Sequence, residues 1–184
     1  ERNNWANNVL DWENNSDNTN KLALTTSLLS PYMADTIKIF KCPSDKSRAQ
    51  NGYRNRSYSM NHLIGNPGTL LNQFNPKYIQ FISENNIRQP SEIFVFLGDH
   101  PDTIKDGYYM NKFHEYKWGN LPASYHNGAT ALSYADGHAS THRWTVTGEN
   151  GTIRPPEKGA VGGIITAKPI TDFQWIVDHS SILK

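Results

Sequence analysis

The stretch SYHNGATALSYADGHAS (124–140) concentrates residue types that carry chemistry: His126, the Asp136-Gly137 pair and His138, with His142 just beyond. Three imidazoles can hold zinc and leave a position open for water. His138 and His142, however, lie four apart on what reads as a strand, where the rise per residue separates them by about 13 Å. That spacing suits a shared ion on a helix, so a histidine zinc site is not expected.

Oxygen ligands are better placed. GDHPDTIKDGYY (98–109) offers Asp99, Asp102 and Asp106 in a turn-rich loop. Hard carboxylates from a loop suit calcium, although the twelve-residue EF-hand pattern is absent. The alternative is that these side chains are solvated or cap turns. No other cofactor is expected.

Nucleophilic chemistry finds less support. Ser124 and His126 are close, and Asp99 could complete a triad, yet no Ser sits in a Gly-x-Ser-x-Gly elbow. Cys42, in KCPSD, lacks a family signature of its own. Asp99 and Glu115 would make a glycosidase pair only if the fold joined them. AVGGIITAKP has no Gly-Lys-Ser/Thr to cradle phosphate. Without a converging set, the chain is expected not to be an enzyme. His126 is then expected to anchor the start of a hairpin to a neighbouring loop through its ring nitrogens.

The elements that must position these residues follow from periodicity. Trp5, Val9 and Trp12 fall at spacings of four and three, predicting a first helix; 14–20 is a polar loop. Leu22, Leu24, Leu28, Leu29 and Met33 predict a second helix, stopped or kinked near Ser30 by Pro31. Strands are predicted at 36–45, at 54–65 and, most clearly, at 91–100, where Ile93 to Leu97 form a continuous apolar run. Residues 66–90 read as irregular or weakly helical. Asp136-Gly137 predicts a two-residue type I′ turn that pairs Ala135 with His138 and Leu132 with Thr141. Residues 147–168 read as loop and 171–181 as a short closing helix, with Phe173, Trp175 and Ile176 turned inward. The sum is a single α+β domain over residues 1–184.

Composition narrows the classes. Among 184 residues, 18 basic and 17 acidic side chains nearly cancel, which argues against nucleic acid as a partner. Five Trp, nine Tyr and seven Phe argue against disorder. The lone Cys42 is either a buried thiol or one whose partner lies outside these residues. No apolar run approaches the ~20 residues that span a bilayer. The opening ERNNWANN, without Met, reads as a mature or trimmed chain.

His126, nine residues, then Asp136-Gly137 resembles the signature of the prepilin-type, processing-associated His-x9-Asp-Gly proteins, a bacterial group of exported pseudopilin-like proteins. WANNVLDW with DNTN, LLSPYMADTIKIFKCPSDKS, RSYSMN, FVFLGDHPDTIKDGYY, YADGHASTHRW and the closing DFQWIVDHSS resemble that family in order and spacing, over nearly the whole chain. The resemblance implies a pilin-like head: an N-terminal helix packed on an antiparallel sheet, with irregular loops. It implies a leader and a long apolar helix ahead of these residues, anchoring the head at the inner membrane on its periplasmic or outer side. A cysteine in that missing stretch could pair with Cys42. Function would be assembly with other pilin or pseudopilin subunits and secretion machinery of a type II secretion or type IV pilus-type system. His126, Asp136 and Gly137 would then serve the fold. Two other classes stay open: an exported ligand- or glycan-binding module stacking on Tyr108, Tyr109 and Trp118, and a secreted hydrolase.

Overall fold

The computed structural model describes residues 4–33, 36–71 and 73–184. Its strands are β1 (Arg48–Ala49), β2 (Gly52–Tyr53), β3 (Tyr58–Asn61), β4 (Phe94–Gly98), β5 (Tyr108–Tyr109), β6 (Lys117–Trp118), β7 (Ala129–Tyr134), β8 (Ala139–Arg143) and β9 (Ile165–Thr166). Among the described residues two α-helices join them, α1 (Leu22–Thr25) and α2 (Thr171–Ser180). The chain is α+β. Five strands form the main sheet in the order β5-β3-β4-β7-β8, antiparallel except for the β3–β5 pair.

The apolar run at 93–97 becomes the central strand β4, covered on both faces. A register shift between Phe94 and Phe96 is what a bulge does: it turns Phe94 to the same side as Leu97 while Phe96 faces away. On the first side Phe94, Leu97, Leu132, Tyr109, Trp118 and Trp144 pack with Phe173 and Ile176 of α2. On the second side Phe96, Tyr58 and Met60 meet Trp5, Leu24 and Phe40 from the N-terminal segment. The expected strands at 91–100 and within 54–65 are present, as is the closing helix with Phe173 and Ile176 fully buried.

The expected N-terminal helices are not. Residues 5–12 are irregular because Asn and Asp side chains claim the backbone groups a helix needs. Val9 N–H donates to Asp17 Oδ2 at 2.9 Å and Asp11 N–H to Asn18 Oδ1 at 3.0 Å, while Asn15 Nδ2 donates to the Val9 carbonyl at 3.1 Å. The second helix shortens to α1, followed by a 3-10 turn at Ser30–Tyr32 around Pro31. The Thr25 and Thr26 hydroxyls both reach back to the Leu22 carbonyl, and Leu22 and Leu28 stay exposed. Among the described residues the longest helix is therefore C-terminal, and an irregular N-terminal segment covers part of the sheet's second face.

The strand expected at 36–45 is instead a 3-10 turn, Ile37–Phe40. Beyond the turn's own bonds, Ser57 N–H donates to the Phe40 carbonyl, and Cys42 N–H donates to the Ser57 hydroxyl.

The hairpin forms with a different turn and register. Tyr134 N–H donates to the His138 carbonyl and Gly137 N–H to the Tyr134 carbonyl, leaving a three-residue loop with Gly137 at φ +90°. That is a turn ending in a left-handed glycine bulge. Leu132 thus faces Ser140 and Ala131 faces Thr141, one residue off the expected pairing. Since side chains alternate, the slip exchanges the faces of β8: His142 joins the core side, and Ala139 and Thr141 the other. The type I′ features sit earlier. Asn127 and Gly128, at φ 53° and 82°, link His126 and Ala129 through two mutual backbone bonds.

Candidate functional site

Three polar clusters hold the residues that could do chemistry. The first surrounds Cys42. Its thiol is buried and free, and His126 Nε2 lies 3.4 Å from its Sγ. Asp45 ties the same loop to β3. Its Oδ2 accepts from Lys41 Nζ and from Ser57 Oγ, each at 2.6 Å, and its Oδ1 from Ser47 N–H at 2.8 Å. Burial works to raise the Asp45 pKa, but the Lys41 ammonium and these donors outweigh it and hold the carboxyl below its usual range. Burial, then the neighbouring Cys42, pushes the Tyr58 phenol up to about 12.

The second cluster is the loop after β4. Asp99 is fully buried and accepts from Ser59 Oγ at 2.7 Å, Thr103 Oγ1 at 2.9 Å and Asn120 Nδ2 at 2.9 Å. Burial pushes its pKa up to about 7 despite these donors and Arg56. Asp102 accepts from Trp12 Nε1 and Gly159 N–H, each at 2.9 Å, and from Val161 N–H at 3.0 Å. Burial opposes its ionisation, yet these bonds hold its pKa low. Asp106 accepts from Tyr108 N–H at 3.2 Å. The three carboxylates serve as separate loop anchors. No group of three or more His, Cys, Asp or Glu able to hold a metal ion occurs among the described residues.

The third cluster is the hairpin. His138 stacks on Tyr134, ring centroids 4.2 Å apart, and its Nδ1 lies 2.6 Å from Asp136 Oδ1. His142 stacks on Trp175 at 3.8 Å, and His179 stacks on that indole at 3.9 Å. The triad residues are likewise apart: the Ser124 hydroxyl donates to the Arg154 carbonyl at 3.1 Å, His126 faces Cys42, and Asp99 has its own donors. Glu115 is held by Lys112 and Lys117 at 3.2 and 2.7 Å and shares no partner with Asp99. Tyr109 and Trp118 are core residues; Tyr108 is half-buried with its hydroxyl on Asn4 Oδ1.

No known protein family, characterised protein or solved structure matches this chain.

Several polar residues of the interior escaped the sequence reading: Arg54, Arg56, Ser47 and His100 are buried, and His62 and Tyr125 are half-buried. The signal for the arginines lay in RNR at 54–56, where alternation puts both on one side of an extended segment. Burial pushes the His62 and His100 imidazoles down to about 4, so both are neutral in the fold near pH 7.

Proposed function

We propose that this chain is the globular head of a pseudopilin-like structural subunit, working by assembly in a type II secretion or type IV pilus-type system. The observation that carries this reading is an apolar groove of about 270 Å³ on the sheet's second face, lined among others by Trp5, Leu29, Phe40, Tyr58, Phe96 and Ala131. An irregular segment covers that face only in part. Because Trp5 lines the groove, a chain segment preceding Trp5 would be delivered to it. The apolar helix that the family resemblance places there is the occupant we assign, bringing a pilin-like layer onto the sheet. Burying such a helix would be driven by the apolar area it removes from water.

The rest of the surface suits a subunit better than a catalyst. The motif residues His126, Asp136 and Gly137 stand at turns and loop contacts. Glycan binding through Tyr109 and Trp118 loses support, because each ring is only 2% exposed. A hydrolase reading lacks a convergent pair, since Asp99 is sealed by Ser59, Thr103 and Asn120.

A photo-reactive side chain placed at Ala131 in the full-length protein tests the assignment. Cross-links to residues preceding Trp5, in the same chain or a sibling, are expected. A groove that reacts with solvent alone, or with an unrelated molecule, overturns it.

A further inference from the structure

A second cavity, of about 400 Å³, lies beside the start of β4. Phe81, Ile93 and Ile182 form its apolar walls, and Arg88 and Gln89 complete the lining. Backbone bonds fasten each wall. Phe81 N–H donates to the Leu63 carbonyl at 2.7 Å, and the Phe81 carbonyl accepts from Gly65 N–H at 2.8 Å. The Ile182 carbonyl accepts from Ile79 N–H and the Ile93 carbonyl from Ala135 N–H, each at 2.9 Å. Between Arg88 and Ile93 the chain turns, with Glu92 N–H on the Gln89 carbonyl at 3.0 Å. The cavity is therefore formed before anything enters it. Its volume falls in the range of small-molecule sites, roughly 300–1,000 Å³.

The lining is divided in chemistry. Phe81 and Ile93 are buried and Ile182 is half-buried, whereas Arg88 and Gln89 are exposed. Among the described residues no acidic side chain lines the cavity, and the Arg88 side chain has neither hydrogen bond nor ion pair. Glu92, the acid next to Ile93, lies 3.6 Å from His179 Nε2 instead. Arg88 thus sets a charge without a counter-ion at the solvent edge of an apolar space.

We infer that this cavity binds a small carboxylate with an apolar body. The body would lie against Phe81, Ile93 and Ile182, where leaving water is favourable. The head would stay at the rim, paired bidentately with the Arg88 guanidinium, and the Gln89 amide offers a further donor. A ligand polar throughout would lose hydration along these walls without gaining partners. A multiply charged anion would meet a single cation. The site shares no lining residue with the groove on the second face and does not rest on the assembly reading.

The probe is octanoate, titrated into the ¹⁵N-labelled chain and followed by amide NMR. Acetate supplies the charge alone and 1-octanol the body alone. Saturable shifts are expected at Phe81, Arg88, Gln89, Ile93 and Ile182, with a midpoint several-fold lower for octanoate than for either control. Arg88→Gln should raise the octanoate midpoint several-fold and leave that of octanol unchanged. Because Arg88 is exposed and unpaired, the variant keeps the fold. Octanoate shifts that fail to saturate, or that centre on Phe96 and Ala131 of the groove, overturn the site. So does octanol binding as tightly as octanoate, or an octanoate midpoint equal in wild type and Arg88→Gln.

Discussion

The Nε2 atom of His126 lies 3.4 Å from the Sγ of Cys42, across a sequence separation of 84 residues. It joins the start of the β7–β8 hairpin to the loop that Asp45 and Ser57 fasten to β3. The two residues belong to blocks that the sequence reading kept apart, one as a family motif and the other as a lone thiol. His126→Ala removes the contact without opening the core, because the ring is at the surface. A loss of about 1 kcal/mol in urea unfolding is expected, with faster labelling of Cys42 by a small thiol reagent.

Asp99 sets a second prediction. Its pKa is about 7 in the fold against an ordinary 3.8, so the folded chain holds this proton more tightly than the unfolded one. The stability this brings is full below about pH 4 and is lost as pH rises through 7, an effect of a few kcal/mol by linkage. Asp99→Asn cannot ionise. The stability of the variant relative to wild type should therefore improve steadily from pH 4 to 8 in urea titrations.

Half-buried His62 and buried His100 act in the opposite sense. His62 and His100 are held at about 4 by burial, below the ordinary 6.5, so the unfolded chain takes up their protons first. The stability they contribute is present above about pH 6.5 and lost as pH falls through 4. Both rings should keep neutral-form NMR shifts down to about pH 5 in the folded protein, while the same rings titrate near 6.5 in urea.

Gly137 tests the hairpin turn. It stands at φ +90° with open space where a side chain would point, so replacement meets backbone strain alone. Gly137→Ala should cost about 1–2 kcal/mol. The two-residue turn first expected at Asp136-Gly137 also needs positive φ there, so the register itself is checked by NOEs between Leu132 and Ser140.

The β-strands that read clearly were those whose own side chains decide the matter. Ile93 to Leu97 is apolar whatever surrounds it, and it became β4. The closing helix likewise carried its own pattern, from Phe173 to Ile176. The N-terminal third misled because its periodic Trp5, Val9 and Trp12 sit among Asn and Asp side chains that capture the backbone from a distance of several residues. The hairpin faces misled because one residue in the loop length exchanges them, and Asp-Gly occurs in both turn types. The individual site residues could be named from sequence, but their partners were long-range. Cys42 with His126, and Asp99 with Ser59 and Asn120, meet only once the sheet has formed.

Assembly through a segment ahead of Trp5 is the claim on which the functional reading turns. N-terminal sequencing and membrane fractionation of the protein, isolated from the cells that make it, address it most directly. The expected result is a membrane-held chain in which an apolar stretch of ~20 residues, exposed by removal of a short basic leader, precedes Glu1. A mature chain recovered free of the membrane, with no apolar stretch ahead of Glu1, would contradict it.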